Sequence, residues 1–278
     1  MLKVNEHTVR SIVKRLLEEA NAAASGPSKI DLQYHEGVFS TVNEAVQSAT
    51  RALPLLREMK IANREALIRD LRAAVIRERD DPAVRIHNET GLGRIEDKIA
   101  KITLAAEKTP GTEDLAVRAV SGDSGLSLIE HAPYGVIASI LPVTNPAETI
   151  INNAISMTAG GNAVVFNPHP SAQKVSAHVI GILNAEGKKH TGCPNIFSCI
   201  SETSLDSARE LMRHPLTDLL VVTGGPAVVK EALQSGKRVI AAGPGNPPVL
   251  VDESADAVQA ARDIVFGASF DNNIICCE

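Results

Sequence analysis

The spacing of hydrophobic positions changes along the 278-residue chain, and each change marks a different kind of structure. In "NEHTVRSIVKRLLEEAN", Val9, Ile12, Val13, Leu16, Leu17 and Ala20 recur three and four residues apart, with Arg10, Lys14, Arg15, Glu18 and Glu19 between them. That spacing predicts a helix with one apolar stripe on an otherwise charged surface. The next stretch, "AAASGPSKIDLQYHEG", is rich in small residues, Gly and Pro, and reads as a linker. Residues 1–20 are therefore expected to form an amphipathic helix and 21–38 a tether. Such a helix either docks onto a partner or folds back onto its own domain.

Residues 41–108 keep the helical period. "TVNEAVQSATRALPLLREM" and "NREALIRDLRAAVIRERDD" both carry apolar residues at three- and four-residue spacing. Thr41 is placed to cap the first, with Glu44 three residues on as in a capping box, and Asn63 to cap the second. The period then shortens to two around "SGDSG" in "LAVRAVSGDSGLSLIEHAPYG", which predicts a β-hairpin.

From residue 135 onward, apolar runs alternate with stretches of helical pattern. The runs are "GVIASIL", "NAVVFN", "NIFSCI", "DLLVVT" and "RVIAA". Strand–helix alternation at this spacing builds a parallel sheet with crossover helices. Runs apolar on both faces are what strands covered on each side require. The predicted fold class is α/β: a doubly wound parallel sheet, preceded by a helical segment and a hairpin.

Ligands of such sheets bind beyond the C-terminal strand ends, and three of these ends carry candidate chemistry. "ILPVTNPAET" offers Pro142, Thr144 and Asn145 ahead of a helix that Pro146 can open. "VVFNPHPSA" ends a strand in Asn167, Pro168 and His169. "LLVVTGGPAVVKEAL" ends one in Thr223, Gly224 and Gly225, with Val228 in the helix that Pro226 starts. Glycines there let a ligand approach the backbone, and free N–H groups at a helix start can meet a pyrophosphate. Taken alone, T-G-G before a helix is equally an ordinary tight turn, and His169 an ordinary loop hydrogen-bonder. The G-x-G-x-x-G fingerprint of dinucleotide-binding turns is missing, and "GPGNPP" does not run into a helix.

Composition narrows the partners. The net charge of −5 gives no general attraction to nucleic acid or anionic membrane. Aromatic residues make up 3% of the chain, too few for base-stacking surfaces. No apolar run reaches the ~20 residues that span a bilayer. Four cysteines without regular spacing give neither a disulfide framework nor paired zinc ligands, so no metal site is expected and a reducing, cytoplasmic compartment is.

In order and spacing, "HAPYGVIASILPVTNPAETIINNAI", "GGNAVVFNPHPSA", "VVTGGPAVV", "AAGPGNPPVLVD" and "GASFDNNIICC" resemble the aldehyde dehydrogenase superfamily. Within it they are most similar to the CoA-acylating propionaldehyde and acetaldehyde dehydrogenases of bacterial microcompartments. The resemblance implies an NAD-binding domain over residues 39–267 and the start of a catalytic domain at 268–278. NAD in this superfamily lies across the sheet without the usual glycine fingerprint. Residues matching its cofactor positions are Pro142, Thr144, Asn167, Pro168, His169, Thr223, Gly224, Gly225 and Val228. The nucleophile aligns with Cys276, and Thr144 or Asn145 would steady the oxyanion. Residues 5–20 are similar to the short helices that direct such enzymes into a protein shell, which implies a shell-protein partner and a place inside a microcompartment.

Hydrolytic relatives place a glutamate where this chain has Ala241 in "AAGPGNPP". Without that base, water attack on an acyl-enzyme is slow, leaving the thioester to a thiol acceptor. The implied reaction takes a short-chain aldehyde, NAD and CoA to acyl-CoA and NADH. Of the cysteines, Cys199 and Cys193 read as small buried hydrophobes, and Cys277, beside Cys276 in an extended stretch, points away from it. Family members continue past the nucleophile, so the resemblance implies that most of the catalytic domain is missing and that this chain alone has little activity. The family also forms homo-oligomers when full length. Two other readings stand beside this one: a non-catalytic NAD-binding assembly module, and a hydrolytic aldehyde dehydrogenase.

Overall fold

In a computed structural model of the chain, the described residues are 37–274 except 244 and 246. They belong to one of two compact units, Tyr34–Glu278; the other, Met1–Gln33, lies wholly outside them. The amphipathic helix expected over residues 5–20 and nearly all of its linker therefore lie outside the described residues, as do Cys276 and Cys277.

Among the described residues, eight strands form two sheets. β1 (Val38–Phe39), β4 (Val136–Ile140), β5 (Ala163–Asn167), β6 (Phe197–Ile200), β7 (Leu219–Thr223) and β8 (Arg238–Ala242) pair in the order β1-β6-β5-β4-β7-β8, all parallel. β2 (Arg118–Gly122) and β3 (Gly125–Ile129) form the separate antiparallel hairpin expected around "SGDSG".

The chain enters the sheet interior at β4, steps outward through β5 and β6, then returns to add β7 and β8 on the other side. This reversal is the topological switch of a doubly wound sheet. β4, β5 and β6 are buried along their whole length. Burial on both faces explains why they read as continuous apolar runs instead of alternating ones.

Nine α-helices are described. One layer contains α1 (Val42–Arg57), α7 (Leu205–Arg213) and α8 (Pro226–Leu233). The other contains α5 (Pro146–Ala159) and α6 (Gln173–Thr191), backed by α2 (Ile61–Glu78), α3 (Asp80–Thr90) and α4 (Ile95–Lys108). α9 (Ala257–Ser269) follows β8 and has no buried residue, with Val258, Val265 and Phe266 exposed. No helix among the described residues is long and apolar enough to cross a membrane.

Thr41 caps α1 in a complete capping box with Glu44. The expected Asn63 cap is corrected. α2 begins at Ile61 with Lys60 at its N-cap and no side-chain cap bond, and the Asn63 N–H already bonds to the Lys60 carbonyl, so Asn63 sits inside the first turn and not at the cap position. Two expectations about strands also change. Val38, read as linker, is half of a two-residue strand paired with Cys199 on β6. β8 was expected to be covered on both faces, yet four of its five residues are exposed, because it is the outermost strand and pairs only with β7.

Candidate functional site

The loops after β4, β5 and β7 converge on one cleft of about 630 Å³ at the switch point. That volume lies within the roughly 300–1,000 Å³ of small-molecule sites. Pro142, Thr144 and Asn145 line it from the β4 loop, and Asn167, Pro168 and His169 from the β5 end. Thr223, Gly224, Gly225 and Val228 line it from β7 and α8. Every candidate site residue named from the sequence that lies among the described residues thus faces a single space.

Local geometry shapes each wall. The Leu141 N–H reaches the Asn167 carbonyl at 3.1 Å, continuing the β4–β5 ladder to the cleft floor. Asn145 then turns the chain into α5, with Pro146 in the first helical turn and the Asn145 side-chain amide donating to Thr144 Oγ1 at 3.1 Å. Asn167 Oδ1 accepts from Ser207 Oγ at 3.1 Å, which tethers the β5 end to α7. His169 Nδ1 accepts the Ser171 N–H, so this residue is both a loop hydrogen-bonder and a cleft wall. Burial lowers the pKa of its imidazole, which favours the neutral form.

Gly224 shows why the β7 turn carries glycines. A Cβ there would lie 2.7 Å from Val228 Cγ1. Gly225 caps α8 in extended backbone geometry, leaving the first N–H groups of that helix at the cleft. The cleft-lining residues include no Asp, Glu, Lys or Arg among those described. An anionic ligand would be met there by backbone N–H groups and neutral side chains.

The far wall is formed by Asn273 and Ile274, which follow α9 and lead toward Cys276 in the sequence. Asp271, Asn272 and Asn273 all have positive φ, at 50, 53 and 63°. Three successive non-glycine residues in this region are strained and persist only where their surroundings hold them.

What holds them was not evident from the sequence. Asp271 is fully buried and its Oδ2 accepts from Lys98 Nζ at 2.7 Å and Lys101 Nζ at 2.6 Å, both on α4. Its Oδ1 takes the Arg94 N–H at 2.7 Å, and its own N–H donates to Asp97. Burial by itself would raise the Asp271 pKa, but the two ammonium groups and the Arg94 N–H outweigh it and hold the carboxyl below its usual range. Burial lowers the Lys98 pKa, opposed by its bond to Asp271. Glu148, in the first turn of α5, is buried 3.8 Å from Lys101, and burial raises its pKa despite that neighbour. The only signal available beforehand was the pair Lys98 and Lys101, three apart among Ile95, Ile99 and Ile102.

Of the described cysteines, Cys199 is buried on β6, and burial pushes its thiol up to about 12. Cys193 is partly buried against the core. Ala241 lies within β8 opposite Val222.

A doubly wound sheet with a cleft at its switch point and a strained turn along one wall defines an α/β protein with a strand-end ligand site. The chain belongs to the aldehyde dehydrogenase family, whose model matches residues 23–278. It is 51% identical over 243 residues to an acetylating acetaldehyde dehydrogenase of Bilophila wadsworthia, covering 87% of this chain and 50% of that protein. Among solved structures it is similar to a propionaldehyde dehydrogenase from the fucose utilisation bacterial microcompartment of Clostridium phytofermentans. That match has a TM-score of 0.83 at 48% identity, over 86% of this chain and 55% of the other. A Rhodopseudomonas palustris propionaldehyde dehydrogenase with bound CoA and an acylated cysteine matches with TM-score 0.83 at 43% identity, over 87% and 55%. The chain spans about half the length of the curated relatives it matches.

Proposed function

We propose that this chain is the cofactor-binding, nucleophile-bearing part of a CoA-acylating aldehyde dehydrogenase acting on propionaldehyde or acetaldehyde with NAD. The observation that carries the reading is the convergence of three strand-end loops and the 271–274 turn on one cleft. The residues fit a dinucleotide: Gly224 and Gly225 leave room for close approach, and the α8 start offers N–H groups to a pyrophosphate. Pro142, Thr144, Asn167, Pro168, His169, Thr223 and Val228 would complete that site.

In the proposed chemistry, the Cys276 thiolate adds to the aldehyde carbon, and Thr144 or Asn145 steadies the resulting oxyanion. When bound, NAD supplies the hydride acceptor. Loss of hydride from the thiohemiacetal leaves a thioester on Cys276. The CoA thiolate then attacks the acyl carbon, releasing acyl-CoA and regenerating the cysteine thiolate. Among the described residues the cleft lining offers no carboxylate to activate water, and Ala241 stands where hydrolytic relatives have glutamate, which supports a thiol acceptor over hydrolysis.

NADH formation from propionaldehyde that requires CoA and vanishes in Cys276→Ala is the expected assay result in the protein that carries this chain. Carboxylate formation at full rate without CoA would refute the acylating reading. The Clostridium relative belongs to a microcompartment, and we extend the proposal to residues 5–20 as a shell-binding helix. Charged residues at Leu16 and Leu17 should abolish encapsulation of this chain, and unchanged encapsulation after deleting residues 1–20 would refute that role.

A further inference from the structure

Lys98 Nζ makes a second bond that links the buried ion cluster to the cleft. Besides Asp271, it donates to the Thr144 carbonyl at 3.2 Å. Lys101 Nζ likewise donates beyond Asp271, to the Ile274 carbonyl at 3.2 Å. Two lysines one helical turn apart on α4 thus grip both walls of the cleft: the β4 loop that carries Thr144, and the turn that precedes Cys276 by two residues. Those walls are more than 120 residues apart in sequence, and one carboxylate, Asp271, sits between the two ammonium groups.

A simple fold clamp would not need this arrangement. Burying two lysines against one aspartate is expensive, and an apolar contact of the same volume would serve stability as well or better. The turn it holds also spends three left-handed non-glycine residues at the cleft wall. Gly93 has φ +71°, and a Cβ there would stand 2.0 Å from Asp271 Oδ1, so even the approach to α4 is shaped around the carboxylate. Strain of this kind collects where geometry matters to function.

We propose that Lys98, Lys101 and Asp271 are positioning residues that set the chain entering Cys276 in register with the Thr144–Asn145 loop across the cleft. The assignment rests on the reading of Cys276 as nucleophile and of the cleft as the NAD site. It assigns the three residues no contact with substrate; they act through the backbone carbonyls of Thr144 and Ile274. Glu148 completes the cluster from α5, with both carboxyl oxygens buried and without a hydrogen bond among the described residues.

The test uses the 278-residue chain and reads whether Cys276 and bound NAD sense each other. Iodoacetamide labelling of Cys276 is followed by peptide mass spectrometry with and without saturating NAD, in the native chain and in Lys101→Met, Lys98→Met and Asp271→Asn. NAD affinity is titrated separately, and each variant is checked for a cooperative melt. In the native chain NAD should slow Cys276 labelling by about tenfold, and in the folded variants NAD should still bind while this protection is lost. A merely structural role would lower the melting temperature and leave protection in the folded protein intact, and that result overturns the inference. Three variants guard against one failing to fold. Native Cys276 labelling that ignores bound NAD would also overturn it, while the cofactor reading survived. No NAD binding to the native chain would instead refute the cofactor reading and, with it, the inference.

Discussion

Gly91 and Gly93 provide a controlled comparison of what the Asp271 cluster contributes to the fold. Both have positive φ, at 69 and 71°, and they lie two residues apart between α3 and α4. A Cβ on Gly91 would meet nothing within 4 Å, whereas one on Gly93 would collide with all three terminal atoms of the Asp271 side chain, at 2.0–2.8 Å. Asp271 cannot swing away freely, because Lys98, Lys101 and the Arg94 N–H hold both its oxygens. Gly91→Ala should therefore cost only the left-handed backbone penalty, about 1–2 kcal/mol. Gly93→Ala carries that penalty and also dislodges one partner of a buried ion pair, a loss of about 3 kcal/mol more. For a chain of this size each kcal/mol moves the melting temperature by about 2–4 °C, so the two variants should differ by about 6–12 °C. Differential scanning calorimetry of the pair in one buffer reads the difference directly. Equal shifts would refute the claim that Asp271 is rigidly held by α4.

Three further outcomes follow from the same geometry. Because burial raises the Glu148 pKa, its folded form keeps a proton that the unfolded chain releases, so its contribution to stability is full below the ordinary value of 4.5 and lost as pH rises through the folded value. Glu148→Gln should melt close to the native chain in acid and above it in alkali, and a pH-independent difference would contradict the shift. Gly224→Ala places a methyl 2.7 Å from Val228 Cγ1 at the cleft wall; NAD affinity by calorimetric titration should fall about tenfold, or about 1.4 kcal/mol, with little change in melting. Cys199, with its thiol pushed up to about 12 and no exposure, should resist iodoacetamide at pH 8 until the chain unfolds, and rapid native labelling would show that β6 opens locally.

The strands of the sheet interior were legible because burial on both faces leaves an unbroken apolar run, as in "VIASI" and "AVVFN". The cleft was legible for a related reason: a doubly wound sheet puts its binding residues at strand ends, where Pro142, Asn167 and Thr223 interrupt those runs. β1 escaped notice because two residues carry no period, and it is defined only by its pairing with β6. The α3–α4 region read as undivided helix, since the break at Gly91 and Gly93 is a matter of backbone conformation within a polar stretch. Lys98 and Asp271 are 173 residues apart, and the one local hint, two lysines three apart among Ile95, Ile99 and Ile102, names no partner; a lysine on an amphipathic helix ordinarily faces water. Only tertiary structure brings that pair together, and with it the strained turn ahead of Cys276.

The most direct test of the central claim asks whether Cys276 accepts an acyl group from a CoA thioester. Incubated with propionyl-CoA, the protein that carries this chain should form a propionyl thioester on the peptide containing residues 263–278, detected by mass spectrometry. The adduct should persist in Cys277→Ala and vanish in Cys276→Ala. An adduct that moves to Cys277, or propionyl-CoA that leaves Cys276 unmodified, would contradict the account.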